Sequence, residues 1–259
     1  MCFSATASFI AGTTLSGLGV QTVREVRHRS ELPLSLIPLL FGVQQLVEGV
    51  LWLTFQYDAP VTRQIMTYTY SVFSHVLWPM FIPFAVLCLE RTSWRRRALL
   101  GFQAIGVAVG SYLLYFIVTR PMVAAIDELH VIRHLLYESP HFFKIPVMLL
   151  YVGATCVSCF LSSHKYVRLF GMLELMAFVA AYAFYAAALV SIWCFFAAIL
   201  SLMIYLHFRF RSGNSAPAAV GRKLPAPRPP THSLASTHSA ACNHNHPPSN
   251  PARRRPRTR

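Results

Sequence analysis

The chain has 259 residues, of which 55% are hydrophobic and only 12% charged, against roughly a quarter charged in an ordinary soluble domain. A mean hydropathy of +0.47 places it with membrane proteins before any window is read. The net charge of +14 would suit nucleic acid, but the basic residues stand in short clusters between apolar runs and in a C-terminal segment. That pattern reports orientation in a bilayer, and no nucleic-acid partner is expected.

Seven apolar runs are each about long enough to cross a hydrocarbon core as a helix. In chain order they cover roughly 4–22, 34–57, 67–89, 98–118, 144–163, 167–185 and 189–208. No basic stretch precedes the first run, and no apolar run precedes Cys2, so the first run is expected to stay in the mature protein. The last two runs divide one apolar stretch of about 43 residues, too long for one crossing and right for two. The prediction is an all-α bundle of seven transmembrane helices over residues 1–211.

The connections orient it. Arg24, Arg27 and Arg29 follow the first run, Arg91, Arg95, Arg96 and Arg97 the third, Lys165 and Arg168 the fifth, and Arg209 and Arg211 the seventh. The second connection has only Arg63, the sixth has no Lys or Arg, and the fourth sets Arg120 and Arg133 against Asp127, Glu128 and Glu138. Basic connections stay cytoplasmic, so the N-terminus is expected outside and the C-terminus in the cytoplasm, in a multi-pass protein of the plasma membrane. Residues 212–259 are rich in Pro, Ala, Ser, His and Arg and read as a disordered, basic cytoplasmic tail. Its arginines, like those of the basic connections, suit anionic lipid headgroups. The "CNHNH" piece at 242–246 reads as compositional bias rather than a metal site.

Within the second run, "GVQQLVEGVLW" (42–52) carries polar groups where lipid would penalise them. At 100° per residue, Gln44, Gln45, Glu48 and Trp52 fall within about 100° of arc. Gly42 and Gly49 lie on the flank, where a neighbouring helix can come close. Tyr68, Ser71, His75, Trp78 and Pro79 form a similar stripe in the third run. Both stripes are expected to face the bundle interior. Glu48 and His75 both lie about 12–13 Å below the outer surface, which predicts a contact between them. An outward-opening pocket lined by Gln44, Gln45, Glu48, Trp52, Ser71, His75 and Trp78 is one reading. Interhelical packing alone is the other, since transmembrane helices are often bridged by hydrogen bonds.

The fourth connection contains "DELHVIRHLLYESPH" (127–141). A helix there would bring Asp127, His130, His134 and Glu138 to one face, and a short interfacial helix is predicted. Histidines at i and i+4 with flanking carboxylates have metal-ligand spacing. If the segment folds over the bundle mouth, His130 and His134 could join His75 and Glu48 around a divalent metal. The motif lacks a full H-E-x-x-H, and an amphipathic interfacial helix with two exposed histidines is the favoured reading.

Other polar residues carry less. Glu174, near the cytoplasmic end of the sixth run, is placed to snorkel. Cys156 and Cys159 match C-x-x-C but lie in an apolar run without βαβ context, where cysteine acts as a small hydrophobe. Glu90-Arg91 faintly resembles the acid–Arg pair of G-protein-coupled receptors, without the remainder of that pattern. The lysines are Lys144, Lys165 and Lys223. None lies in the last run, which speaks against a retinal Schiff base.

The stretches "MCFSATASFIAG", "LPLSLIPLLFGVQQLVEGVLWL" and "VSIWCFFAAILS" resemble a family of multi-spanning membrane proteins with no established function. The resemblance spans about 1–210. It implies an integral membrane protein and supplies no activity, cofactor or catalytic residue. Three functional classes remain. The first is a small-ligand sensor, receptor or transporter using the outward pocket. The second is an intramembrane metal-dependent hydrolase acting on lipid, with a metal-activated water. The third is a structural or partner-binding protein in which Glu48 only locks packing.

Overall fold

The computed structural model describes residues 4–126, 135–137, 139–185 and 189–213. The chain divides after Ala216 into two units, and the second lies outside the described residues, as does almost all of the expected tail. The described residues form seven helices: α1 (Ala5–Arg24), α2 (Leu32–Gln56), α3 (Pro60–Leu89), α4 (Ser93–Thr119), α5 (Ile145–Phe160), α6 (Lys165–Tyr185) and α7 (Leu189–Phe210). Five of them, α2, α3, α4, α6 and α7, are long and apolar enough to cross a membrane. The fifth helix is apolar but shorter, and α1, rich in Ser, Thr and Gly, is not among the five.

Local chemistry sets the ends of these helices. Ser4 caps α1, its hydroxyl accepting the Ala7 N–H at 3.3 Å, which satisfies one of the amides a helix start leaves unpaired. Pro60 opens α3, where a missing N–H costs nothing. This start comes several residues before the apolar run and makes α3 longer than its hydropathy suggests. Helices α1 and α2 pack closely because their glycines let the backbones approach. A Cβ on Gly19 would sit 2.5 Å from the Leu39 nitrogen, and one on Gly42 would sit 2.6 Å from the Ser16 nitrogen. The close approach expected at Gly42 is therefore made by α1.

Helices α2, α3 and α7 are the inner ones. In the most apolar window of α2, 61% of residues are buried, against 28% in α4. The exposed face of α4 carries Leu100, Val107, Leu114 and Val118, a surface suited to lipid tails.

Two helices contain π turns. In α3 the π turn covers Val72–Leu77, just before Pro79. A proline removes the bond to the carbonyl four residues back and crowds it, and the wider turn relieves that strain. The Ser74 carbonyl accepts instead from the Tyr151 hydroxyl of α5. A second π turn, Gly153–Val157, lies in α5 two residues beyond Tyr151.

Where it is described, the fourth connection is not the helix that its spacing predicts. Residues Leu135–Tyr137 are a strand, β2, paired antiparallel with β1 (Ala124–Ile126) in the register Ala124↔Tyr137, Ala125↔Leu136, Ile126↔Leu135. Leu135 and Tyr137 are buried, and the Tyr137 ring stacks on Tyr70 of α3 at 4.5 Å. Burial on alternate residues is the period of a strand, and packing on α3 selects it over the helical reading. Residues 127–134 and Glu138, which include Asp127, His130 and His134, lie outside the described residues.

The first, third and fifth connections meet at one end of the described bundle. Residues of the first, third and fifth connections line one shared cavity, and Arg209 at the end of α7 reaches Glu25 at 3.6 Å. At the other end, the Gln64 side chain donates to the Met122 carbonyl at 3.4 Å, and the Met122 N–H reaches the Tyr68 hydroxyl at 3.4 Å.

Candidate functional site

The polar stripe of α2 faces inward, as its arc predicts. Gln44, Gln45 and Glu48 are fully buried and Trp52 nearly so. The Trp78 indole N–H donates to Gln44 Oε1 at 2.7 Å, and its ring stacks on Phe41 at 3.8 Å. Glu48 Oε1 accepts from the Ser191 hydroxyl of α7 at 2.6 Å, while its Oε2 accepts from the Gln45 amide at 3.2 Å. Three inner helices are thus joined through the stripe. Ser71 is buried in α3.

The predicted Glu48–His75 contact does not form. His75 Nδ1 shares a hydrogen bond with the Ser74 hydroxyl at 2.7 Å, and Nε2 has no hydrogen-bond partner among the described residues. The ring packs edge-on against Phe142, 5.1 Å between centroids. The cause is the π turn. Counting at 100° per residue assumes an unbroken α-helix, and the extra residue of a π turn changes which face follows it. Trp78 therefore meets α2 while His75 points toward the fourth connection.

There His75 borders a cavity of about 430 Å³ at the end of the bundle away from the basic clusters. Leu113, Phe116 and Ile117 of α4 form one wall, and the segments around Met122 and Phe142 form the other. Three polar side chains complete it: Arg120, Ser139 and His141. The His141 ring stacks on Phe116 at 3.5 Å. Its imidazole is held below the usual histidine range by burial, reinforced by the charges of Lys144 and Arg120. His75 Nε2, Ser139 Oγ and His141 Nδ1 all lack hydrogen-bond partners among the described residues. An apolar chamber with a few polar groups at its margin is the usual form of a small-molecule site. Arg120, the one cation among the described lining residues, suits an anionic group.

A second, much smaller cavity lies deeper. It measures about 20 Å³, about the room one water needs. Trp78, Tyr151, Thr155, Glu174, Trp193 and Cys194 are among its lining. Glu174 is 6% exposed, so it faces the interior and does not snorkel. Its helix carries it inward because Gly171, one turn earlier, lets α6 meet Cys159 of α5 closely.

The sequence-predicted pocket residues are therefore divided. Gln44 and Trp78 form one pair, Gln45 and Glu48 another with Ser191, and His75 alone reaches the large cavity. Arg120, Ser139 and His141 escaped the sequence reading because they lie in an irregular connection with no periodicity. Their only signal was position, flanking Pro121 and Pro140. Of the metal set His75, His130, His134 and Glu48, the two described members are not brought together, and the other two lie outside the described residues. Among the described residues, no group of three or more His, Cys, Asp or Glu is arranged to hold a metal. Cys156 and Cys159 are buried and unbridged, and the Cys159 thiol bonds the Thr155 carbonyl at 3.4 Å.

Five helices long and apolar enough to span a bilayer, with polar groups held between the inner ones, give the chain the character of a helical membrane protein. Within that class, the chain belongs to a family of unknown function, DUF6629, whose pattern matches residues 1–219. No curated protein and no solved structure matches the chain.

Proposed function

We propose that this protein is a membrane receptor or transporter for a small organic anion, bound in the 430 Å³ cavity over His75. One observation carries the reading. A buried imidazole borders a chamber of ligand size, and its Nε2 has no hydrogen-bond partner among the described residues. Buried polar atoms are usually paired, and a ligand supplies the missing partner. The anionic head meets Arg120 at the exposed margin, with Ser139 and His141 beside it. The apolar body lies against Leu113, Ile117 and Phe142. His75 donates or accepts a hydrogen bond at the floor.

The distribution of Arg and Lys orients the protein with this cavity outward, its N-terminus outside and its C-terminus in the cytoplasm of a plasma-membrane protein. Gln44, Gln45, Glu48, Trp52, Ser71 and Trp78 then act behind the ligand, as the rigid layer that holds α2, α3 and α7 in place. A structural role alone gives no reason for the open space beside His75. A metal-dependent hydrolase needs further ligands beside His75, and no described residue supplies them.

The test is thermal unfolding of the full chain in lipid nanodiscs, titrated with hexanoate and octanoate and, as controls, hexylamine and octanol. Saturable stabilisation by the carboxylates, weakened at least about tenfold in Arg120→Gln and in His75→Leu, is the expected result. Equal shifts with amine, alcohol and acid, or unchanged affinity in both variants, would overturn the reading.

A further inference from the structure

The opposite end of the bundle holds another chamber, of about 460 Å³, enclosed by the first, third and fifth connections. Four nitrogen-rich side chains, Arg27, His28, Arg91 and His164, stand around it with two carboxylates, Glu31 and Glu90. The arginines and His28 are exposed, whereas Glu31 and Glu90 are 5% and 2% exposed.

Both carboxylates are engaged by the loops they hold together. Glu90 Oε1 accepts the N–H groups of Arg91 and Thr92, each at 3.0 Å, and the Ser163 hydroxyl at 2.9 Å. Its Oε2 accepts the Ser163 N–H at 2.8 Å, and Arg95 stands 4.0 Å away. Glu31 Oε2 accepts the Arg27 and His28 N–H groups at 3.1 and 3.4 Å. Burial raises the Glu90 carboxyl, but the bonds from Thr92 and Ser163 outweigh it and hold the group at about 2. The two acids thus work as ties within and between loops. Outside them, Arg24, Arg29, Arg96, Arg97, Lys165 and Arg168 add a field of one sign. Of the acids near this end, Glu25 is paired with Arg209.

We propose that this chamber binds a phosphate group, presented by the headgroup of an anionic phospholipid. Arg27 and Arg91 are the primary contacts, and His28 and His164 are secondary. Guanidinium groups match phosphate oxygens in geometry and charge. The chamber opens beyond the ends of apolar helices, where headgroups lie. Basic pockets between such helices are a recurrent form of phospholipid site. Free phosphate shares the chemistry but has no acyl chains to place it at that depth.

The experiment uses the full chain in phosphatidylcholine nanodiscs containing increasing phosphatidylglycerol, with thermal unfolding and the bound lipids counted by native mass spectrometry. One lipid retained selectively, with phosphatidylglycerol preferred at least about tenfold over phosphatidylcholine, is expected. The preference is expected to fall about tenfold in Arg27→Gln/Arg91→Gln, to fall less in Arg27→Lys/Arg91→Lys, which keeps the charge and loses the guanidinium fork, and to be unchanged in Arg120→Gln at the far end. Saturable stabilisation by inorganic phosphate in pure phosphatidylcholine would keep the phosphate site and reject the lipid source. Equal retention of both lipids with no phosphate effect would overturn the proposal. So would unchanged lipid preference in the folded Gln double variant.

Discussion

Glu48 and His75 are both ionisable, both buried, and both within helices that read as membrane spans. Glu48 lies on regular α-helix and is met by Gln45 of its own helix and Ser191 of α7. His75 lies in a π turn beside a cavity, spends one nitrogen on its neighbour Ser74, and leaves the other without a hydrogen-bond partner among the described residues. The comparison separates two meanings of an intramembrane polar residue. One closes an interhelical contact. The other borders a chamber that something else must fill. Polarity is the same in both, and adjacent volume tells them apart.

Substitutions at each site should therefore fail differently. The largest effect is expected for Glu48→Ala, which removes a buried acceptor of the Ser191 hydroxyl and the Gln45 amide. A loss of about 1–3 kcal/mol in stability, measured by unfolding in nanodiscs, is expected with anion affinity unchanged once the variant is folded. If Glu48→Ala instead removed ligand binding and left stability intact, the roles of the two sites would be reversed.

His75→Leu is expected to behave in the opposite way. Stability should change by only about 1 kcal/mol, because Nε2 has no hydrogen-bond partner among the described residues and the Ser74 hydroxyl that loses Nδ1 keeps the Ser71 carbonyl at 3.4 Å, while carboxylate binding weakens at least about tenfold. A smaller change is expected for Tyr151→Phe, which leaves the Ser74 carbonyl of the π turn without its donor. A cost of about 1 kcal/mol and a modest loss of anion affinity are expected, since the turn aims His75. Tyr151→Phe with unaltered affinity would show that the turn holds its shape through Pro79 alone.

The last substitution concerns Glu90, a carboxylate outside the spans, and is read from a pH profile. Its folded value of about 2 lies below the ordinary 4.5. The stability it contributes is complete above about 4.5 and disappears as pH falls from there through about 2. Glu90→Gln should flatten that part of the pH dependence of unfolding and leave the profile above pH 6 parallel to the original. A wild-type profile flat from pH 5 to 3 would remove Glu90 from its tying role.

The sequence reading found seven helical segments, placed the α2 stripe inward and put the basic connections at one end. All three follow from local quantities: run length, a 3.6-residue period and charge between runs. The Gly42 approach was legible for the same reason. The Glu48–His75 contact was not, because it assumed regular helix across 72–77, and a π turn has no reliable local signature. The expected helix over 127–141 failed at 135–137 because burial against Tyr70 selected a strand. Glu174 looked able to snorkel from its position along α6, yet the rotation of that helix against α5 turned it inward.

By itself, then, the sequence determined that this is a membrane-class helical protein with a polar interior and a strongly basic end. Apolar length and charge placement act on each segment separately and need no fold. Only the tertiary structure decided which polar groups satisfy one another and which border empty volume. That depends on helix rotation, on a π turn beside a proline and on the path of an irregular connection. Each of these is fixed by packing between segments far apart in the chain.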